Sequence, residues 1–517
     1  MGSRREIFRS SIVVGFFSLL GGLAGILVET SIAARLGLSR SSDTFYVAFT
    51  VPYVITNLLS ATGQFSLVPF FGTLDARHSA EDLWRGFSYA VNVIVFGLGT
   101  IALLGVAAAP WVIRGIAPGL SPEQTLVASQ LDRWLFLVIV PAGVAEVLRS
   151  FLLSQHRFAL ASAAGFIRNA VVIAVVIGAF SRLGYYSIVV GYIAGYLLLF
   201  IILGAQILIL FPVRYSFALR GSGEVFRNLR GAGAAQLGGA ISWQIVVIVE
   251  RIIASFLPAG TLTALNYGLK MLSTLAEMLA GSVGTVSLPA LSRAVARRAQ
   301  LEERKIFQDA IEISMAIVVP VTVFCLLLGR NMIRLIFERG SFTPESTALL
   351  AMVFFYYSLS LLPYSFTRVL VFYFFARHEG GVFYRFANLL YGLTLTFDLI
   401  YVGGLHMGAK GIPMGLLTAS VLTVGLAYQR DLAELKKVFD RSLVGYTLKN
   451  LLAGLLAAAL IVELRPFISA PKTNTANFVY LCILCGAGSL IFLATMAATR
   501  AVPVGRLAAD LKHTEDS

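Results

Sequence analysis

Charge is scarce in this chain. Asp, Glu, Lys and Arg together make up 13% of its 517 residues, against 57% hydrophobic residues. A water-soluble domain carries about a quarter of its residues as charges, so a soluble enzyme or binding module is excluded. Cysteine is scarcer still. Cys325, Cys482 and Cys485 all sit in apolar runs, and the C-x-x-C of the last two lies inside a candidate helix with no soluble redox domain around it. Small apolar packing accounts for all three. None of the five histidines stands at a metal-ligand spacing from another His or Cys. No nucleophile–base set or Walker loop appears, so the chain is not expected to be an enzyme or to carry a metal or other cofactor.

What it has in abundance is long hydrophobic runs. Windows of spanning length fall near 11–36, 44–71, 87–111, 126–154, 159–181, 185–211, 228–256, 262–290, 307–329, 346–376, 381–403, 411–429, 446–463 and 477–498. The hydrocarbon core needs about 20 apolar residues per helix. These windows therefore predict an all-α, polytopic membrane protein of about fourteen transmembrane helices. The basic start, "MGSRREIFRS", leads into an apolar run with no A-x-A-like cleavage site and is read as the approach to a first spanning helix. The net charge of +14 does not point to nucleic acid. About 23 Lys and Arg collect on one side of the predicted topology against about nine on the other, which puts both termini in the cytoplasm by the positive-inside rule. The same basic segments favour anionic lipid headgroups.

An internal echo organises the chain. "LVETSIAARLGLSRSSDTFYVAF" at 27–49 aligns without a gap on "IVERIIASFLPAGTLTALNYGLK" at 248–270, pairing Glu29 with Glu250 and Tyr46 with Tyr267. "SPEQT" at 121–125 returns as "TPEST" at 343–347, and Pro141 returns as Pro363. Six predicted helices fall in each copy, and an even number returns the chain to its starting side. The copies are then parallel repeats around a central cavity, an arrangement suited to alternating access. The expected divisions are an N-terminal lobe at 1–211, a cytoplasmic linker at 212–227, a C-terminal lobe at 228–430, two extra helices at 431–498 and a cytoplasmic tail at 499–517.

Charges inside a membrane are expensive and tend to face protein or water. Glu29, Glu250 and Lys270 fall at similar depths, roughly 10–12 Å from the outer edge at about 1.5 Å per residue. Lys270, Ser273, Thr274, Glu277, Gly281 and Gly284 recur at helical steps, as do Thr50, Tyr53, Asn57, Ser60 and Gln64. These stripes predict the walls of one wet cavity. A Glu250–Lys270 ion pair is a structural alternative for that pair. Arg149 and Arg368, near helix ends, are expected to snorkel to headgroups.

"ETSIAARLGLSRSSDTFYVAFTVPYVITNLL", "GQFSLVPFF", "VGTVSLPALS", "RLIFERGSFTPEST" and "FYFFARHE" resemble the signature stretches of the MviN/MurJ lipid II flippases, in a superfamily shared with multidrug (MATE) and polysaccharide exporters. The resemblance implies alternating-access movement of an undecaprenyl-diphosphate-linked sugar from the inner to the outer leaflet of the bacterial cytoplasmic membrane. Lipid II or a related lipid-linked oligosaccharide would be the cargo. It implies a headgroup cleft on the first, second, seventh and eighth helices and a tail groove formed with the last two. Arginines of the family on the first two helices are replaced here by Leu23, Glu29, Thr56 and Asn57, and one on the eighth by Lys270, with Ser273 one turn later. Asp43 matches an acidic position near the outer mouth. The substrate-binding candidates are thus Lys270, Arg251, Glu29, Asn57, Asp43, Gln64 and Ser273. Glu250 and Asn388 match two ligands of a cation site, which implies coupling to Na+, H+ or the membrane potential. The partners implied are the lipid-linked glycan and membrane lipids, with the chain acting as a monomer near cell-wall or polysaccharide synthases. A cation-coupled small-molecule exporter on the same scaffold is the alternative.

Overall fold

The computed structural model describes residues 4–77, 80–217, 234–377, 380–430, 441–468, 471, 473–499 and 501, and these contain no strand. The α-helices are α1 (Arg4–Leu36), α2 (Arg40–Thr62), α3 (Val68–Arg77), α4 (Ala80–Ile116), α5 (Pro122–Ser154), α6 (Phe158–Leu183), α7 (Tyr186–Leu210) and α8 (Ala234–Ala254). They continue with α9 (Thr261–Ala276), α10 (Ser282–Ala296), α11 (Gln300–Phe337), α12 (Pro344–Ala376), α13 (Gly380–Asp398), α14 (Gly411–Arg430), α15 (Arg441–Leu464) and α16 (Asn474–Ala498). Among the described residues thirteen helices are long and apolar enough to cross a membrane, and each overlaps a predicted window. The remaining window, 228–256, holds the 21-residue α8. Most of the predicted linker and tail, 218–227 and 502–517, lies outside the described residues.

Local chemistry sets the helix starts. Ser39 and Ser42 form a reciprocal capping box at α2, and Ser121 and Gln124 form another at α5. Thr343 accepts from the Ser346 N–H at the start of α12. Pro122 and Pro344 occupy the first helical positions of α5 and α12, where a missing N–H costs nothing. The echoed pentapeptides "SPEQT" and "TPEST" therefore each start a 33-residue helix. Two of the longer rods are interrupted by single π turns, Gly63–Leu67 between α2 and α3 and Glu277–Gly281 between α9 and α10. Such turns recur at functional sites.

Two compact units divide the chain: Met1–Thr263 with Arg339–Phe342, and Ala264–Glu338 with Thr343–Ser517. In the first, α1 packs on α6, and α5 packs on α2, α4 and α7. One end of that bundle is filled by an aromatic cluster in which the Phe151 ring lies 5.0 Å from Phe87, 5.4 Å from Trp84 and 5.5 Å from Phe71. Aromatic pairs of this kind contribute about 0.5–1.5 kcal/mol each beyond the area they bury. In the second unit α11 packs on α12, and α15 and α16 pack on α11. The Asn331 side chain donates to Asn477 Oδ1 at 2.8 Å, and Asn477 returns a bond to the Asn331 carbonyl at 2.9 Å, tying α16 to α11.

The signature segments do specific work at helix ends in the first unit. Gly340 has φ +59° and Gly37 φ +63°, and the Ser341 N–H donates to the Ala34 carbonyl at 2.8 Å. A Cβ on Gly340 would stand 2.2 Å from that same carbonyl oxygen. Asp43 is buried and accepts three bonds, from the Gly260 N–H at 2.6 Å, the Thr263 N–H at 2.9 Å and the Thr263 hydroxyl at 2.6 Å. Those amides belong to the opening turn of α9, where the preceding residue, Gly260, has no side chain, so α2 supplies a cap to α9.

Two substitutions test these contacts through stability. Gly340→Ala combines a left-handed backbone with a steric overlap and should lower stability by about 1–3 kcal/mol, read as a fall in melting temperature of the purified protein in detergent. Asp43→Asn replaces one of the two oxygens that accept three buried bonds with an amide donor and should cost about 1–3 kcal/mol in the same assay. A melting temperature equal to the parent's in either variant would contradict the role given to that residue.

Candidate functional site

The candidate residues distribute over both units. On the first, Glu29 is half-buried on α1 and accepts a hydrogen bond from the buried Tyr46 hydroxyl on α2. Glu29 and Tyr46 are two of the positions that the internal echo pairs with later residues. Their contact gives a carboxylate at membrane depth a phenol donor. Arg251, on α8, donates through Nη1 to the Leu262 carbonyl at 3.4 Å, and its neighbour Glu250 is half-buried. Asn57 is half-buried on α2, while Gln64, in the π turn, is exposed. Asp43 has both oxygens committed to Gly260 and Thr263, so its geometry is that of an intrachain cap. Lys270 and Ser273 are half-buried on α9, where the Ser273 hydroxyl donates to the Lys270 carbonyl at 3.1 Å and leaves the ammonium uninvolved in that bond. Asn388, on α13, donates to the Tyr384 carbonyl at 2.7 Å, which is a local helix contact.

Two expectations are corrected by the geometry. The stripe from Lys270 to Gly284 is not one continuous helical face, because the π turn at Glu277–Gly281 inserts an extra residue and rotates the helix beyond it. Its last members are packing points: a Cβ on Gly284 would meet the Phe372 ring at 2.1 Å, and one on Gly281 would meet the Glu277 carboxyl at 2.8 Å. Arg149 and Arg368 do not reach outward. Arg149 grips Glu146 through both Nε and Nη2, the shortest contact being 2.7 Å. Arg368 donates to the Tyr364 hydroxyl at 2.9 Å and stacks over that ring. A partner inside the protein competes successfully with a headgroup because the low dielectric strengthens the bond.

The sequence reading also missed residues. Asp132, on α5, is fully buried, and neither carboxyl oxygen has a hydrogen-bond donor among the described residues. Glu146 is buried against Gly63, where a Cβ would fall 2.0 Å from its Oε1, so the π turn begins at the one residue that lets this carboxylate approach. An acidic residue within an apolar window is a signal that could have found both.

Comparison with known proteins agrees with this architecture. The family model described as "Lipid II flippase MurJ" matches residues 32–481. A "Probable lipid II flippase MurJ" of Rhizobium meliloti is 27% identical over 515 residues, covering 95% of this chain and 93% of its own. The "Lipid II flippase MurJ" of Burkholderia cenocepacia is 25% identical over 389 residues, covering 72% and 74%. Among solved structures, a lipid II flippase MurJ in an inward closed conformation superposes with a TM-score of 0.78 at 19% identity, covering 95% of this chain and 98% of that one. An inward-facing MATE family transporter of the MOP superfamily gives 0.65 at 18% identity, with 82% and 96% covered. The solved structures speak to the fold, and the family model, spanning most of the chain and both units, speaks to descent: this multi-pass membrane protein belongs to the MurJ lipid II flippase family.

Proposed function

We propose that the protein moves lipid II, or a closely related undecaprenyl-diphosphate-linked glycan, from the inner to the outer leaflet of the bacterial cytoplasmic membrane by alternating access. The observation that carries this is the family match over residues 32–481. Supporting it are helices of spanning length throughout the chain, with the ionisable groups Glu29 and Lys270 held within those spans and Glu250 on α8. In this reading the lobes at 1–211 and 228–430 are parallel repeats around a central path, and both termini face the cytoplasm. The matching starts of the 33-residue helices α5 and α12, each with its Ser/Thr-Pro entry, support the repeat.

Within that path Lys270 is the cation that meets the substrate's diphosphate, with Arg251, Asn57, Gln64 and Ser273 supplying further polar contacts and Glu29 held ready by Tyr46. Asp43 fixes the entry of α9, the helix that carries Lys270. Glu250 and Asn388 are the candidates for a coupling cation. With no nucleotide-binding loop in the sequence, the work comes from an ion gradient or the membrane potential, worth about 2.3 kcal/mol per charge per 100 mV. The chain acts on its own as a monomer, next to the synthases that consume its product.

Two measurements test the reading. Purified protein in liposomes, offered fluorescent lipid II and fluorescent organic cations in parallel, should move the lipid. Cation accumulation with no lipid movement would instead establish a MATE-like exporter. Lys270→Ala should abolish lipid movement while expression and melting temperature stay at parental values. Full activity in that variant would take Lys270 out of the substrate site.

A further inference from the structure

A cavity of about 360 Å³ with a mixed polar and apolar lining lies in the first unit, walled by α1, α2, α5, α6 and α7. Its charged lining is Arg149, Arg168 and Glu146, and its neutral polar lining includes Thr56, Ser60 and Tyr196. Small residues of α6, Ala161, Ala164 and Gly165, leave the space open. Arg149 and Glu146 are paired, so the cavity holds one net positive charge, contributed by Arg168.

Arg168 is positioned with care. It stands ten residues into α6, which at about 1.5 Å per residue puts it roughly 15 Å along the helix, near mid-membrane for a span of this length. Its Nε and Nη2 donate to Asn169 Oδ1 at 3.2 and 3.0 Å, and Nη1 donates to the Tyr196 hydroxyl at 3.0 Å. Asn169 is itself anchored, its amide donating to the Gly21 carbonyl on α1 at 3.2 Å. The guanidinium also lies over the Tyr196 ring, 5.3 Å from its centroid. No carboxylate is within ion-pair distance of Arg168 among the described residues. Its hydrogen-bond partners are all neutral, with the Glu146 carboxylate acting on it through space.

A guanidinium carries five N–H donors in a planar fork, and the bonds to Asn169 and Tyr196 use three of them. Tyr196 accepts from Arg168, so its own proton remains to be donated. Arg149 spends Nε and Nη2 on Glu146, which leaves Nη1. A membrane-buried cation held by neutral groups is costly and marks a ligand pathway by default. The donors gathered here, with a net positive charge, match a phosphate oxyanion, which arginine binds bidentately. At the small end of ligand pockets, the cavity takes a phosphate-bearing fragment rather than a whole glycopeptide headgroup.

We propose that this cavity binds the diphosphate of a polyprenyl-linked substrate through Arg168 and Arg149, with Tyr196 as an additional donor. The proposal rests on the flippase reading and names a second station for its cargo, inside the first unit and with a lining that does not include Lys270. The carboxylate of Glu146 neutralises Arg149 when the site is empty and yields it when the phosphate arrives.

The experiment is equilibrium binding of a fluorescent polyprenyl diphosphate to the full chain in nanodiscs, with neutral polyprenol and inorganic pyrophosphate as competitors. The parent should prefer the diphosphate lipid to the polyprenol by tenfold or more. Arg168→Gln should lose at least tenfold in affinity for the diphosphate lipid, and Arg168→Lys should fall between, keeping charge without the fork. The double variant E146Q/R149Q, which leaves no unpaired carboxylate behind, should lose severalfold. Melting temperature checks that each variant is folded. Parental affinity in both Arg168→Gln and E146Q/R149Q would overturn the proposal, as would a parent that does not distinguish diphosphate from polyprenol. Pyrophosphate binding as tightly as the lipid would overturn the lipid assignment. If Arg168-dependent binding holds but the parent moves no lipid II in liposomes, the transport reading fails and the site stands.

Discussion

A polar group inside an apolar slab is stabilised by a partner within the chain, and that constraint explains the contacts of Asp43, Glu29 and Arg149. Asp43 takes three donors from the opening of α9, a helix preceded by Gly260, which has no side chain. Glu29 takes the Tyr46 hydroxyl, and Arg149 takes Glu146. Water would satisfy each of these groups at a surface. In hydrocarbon the cost of leaving one unmade is several kcal/mol, so the helices are placed where the bonds can form.

The same constraint gives the irregular backbone its meaning. The π turn at Gly63–Leu67 starts at a glycine whose missing Cβ admits the Glu146 carboxylate, and the turn at Glu277–Gly281 bears on α12. Both interrupt long rods where charged residues lie inside the span. The departures from α geometry thus sit beside the buried charges.

Function in this scaffold then depends on where cations are exposed to a ligand and where they are neutralised. The resemblance to the MurJ family directs attention to α1 and α2 for arginines, yet those positions are Leu23, Glu29, Thr56 and Asn57. Thr56 nevertheless lines a cavity into which α5 and α6 bring Arg149 and Arg168. Charge missing from one wall is present on another. Lys270 on α9 and Arg168 on α6 are two cations at membrane depth for which the described residues show no ion pair.

The hydrophobic windows determined the fold class and the span positions, because spanning length is a property of contiguous residues. The spacing of Glu29 from Glu250 was likewise legible as an internal echo. The sequence alone did not determine that Asp43 would cap a helix 217 residues away, that Arg149 would turn inward, or that Arg168 would face a cavity. Each of those depends on which helices pack side by side. A lone arginine in an apolar run carries the same letters whether its neighbours are lipid, protein or a hollow, and only the tertiary structure decides among them.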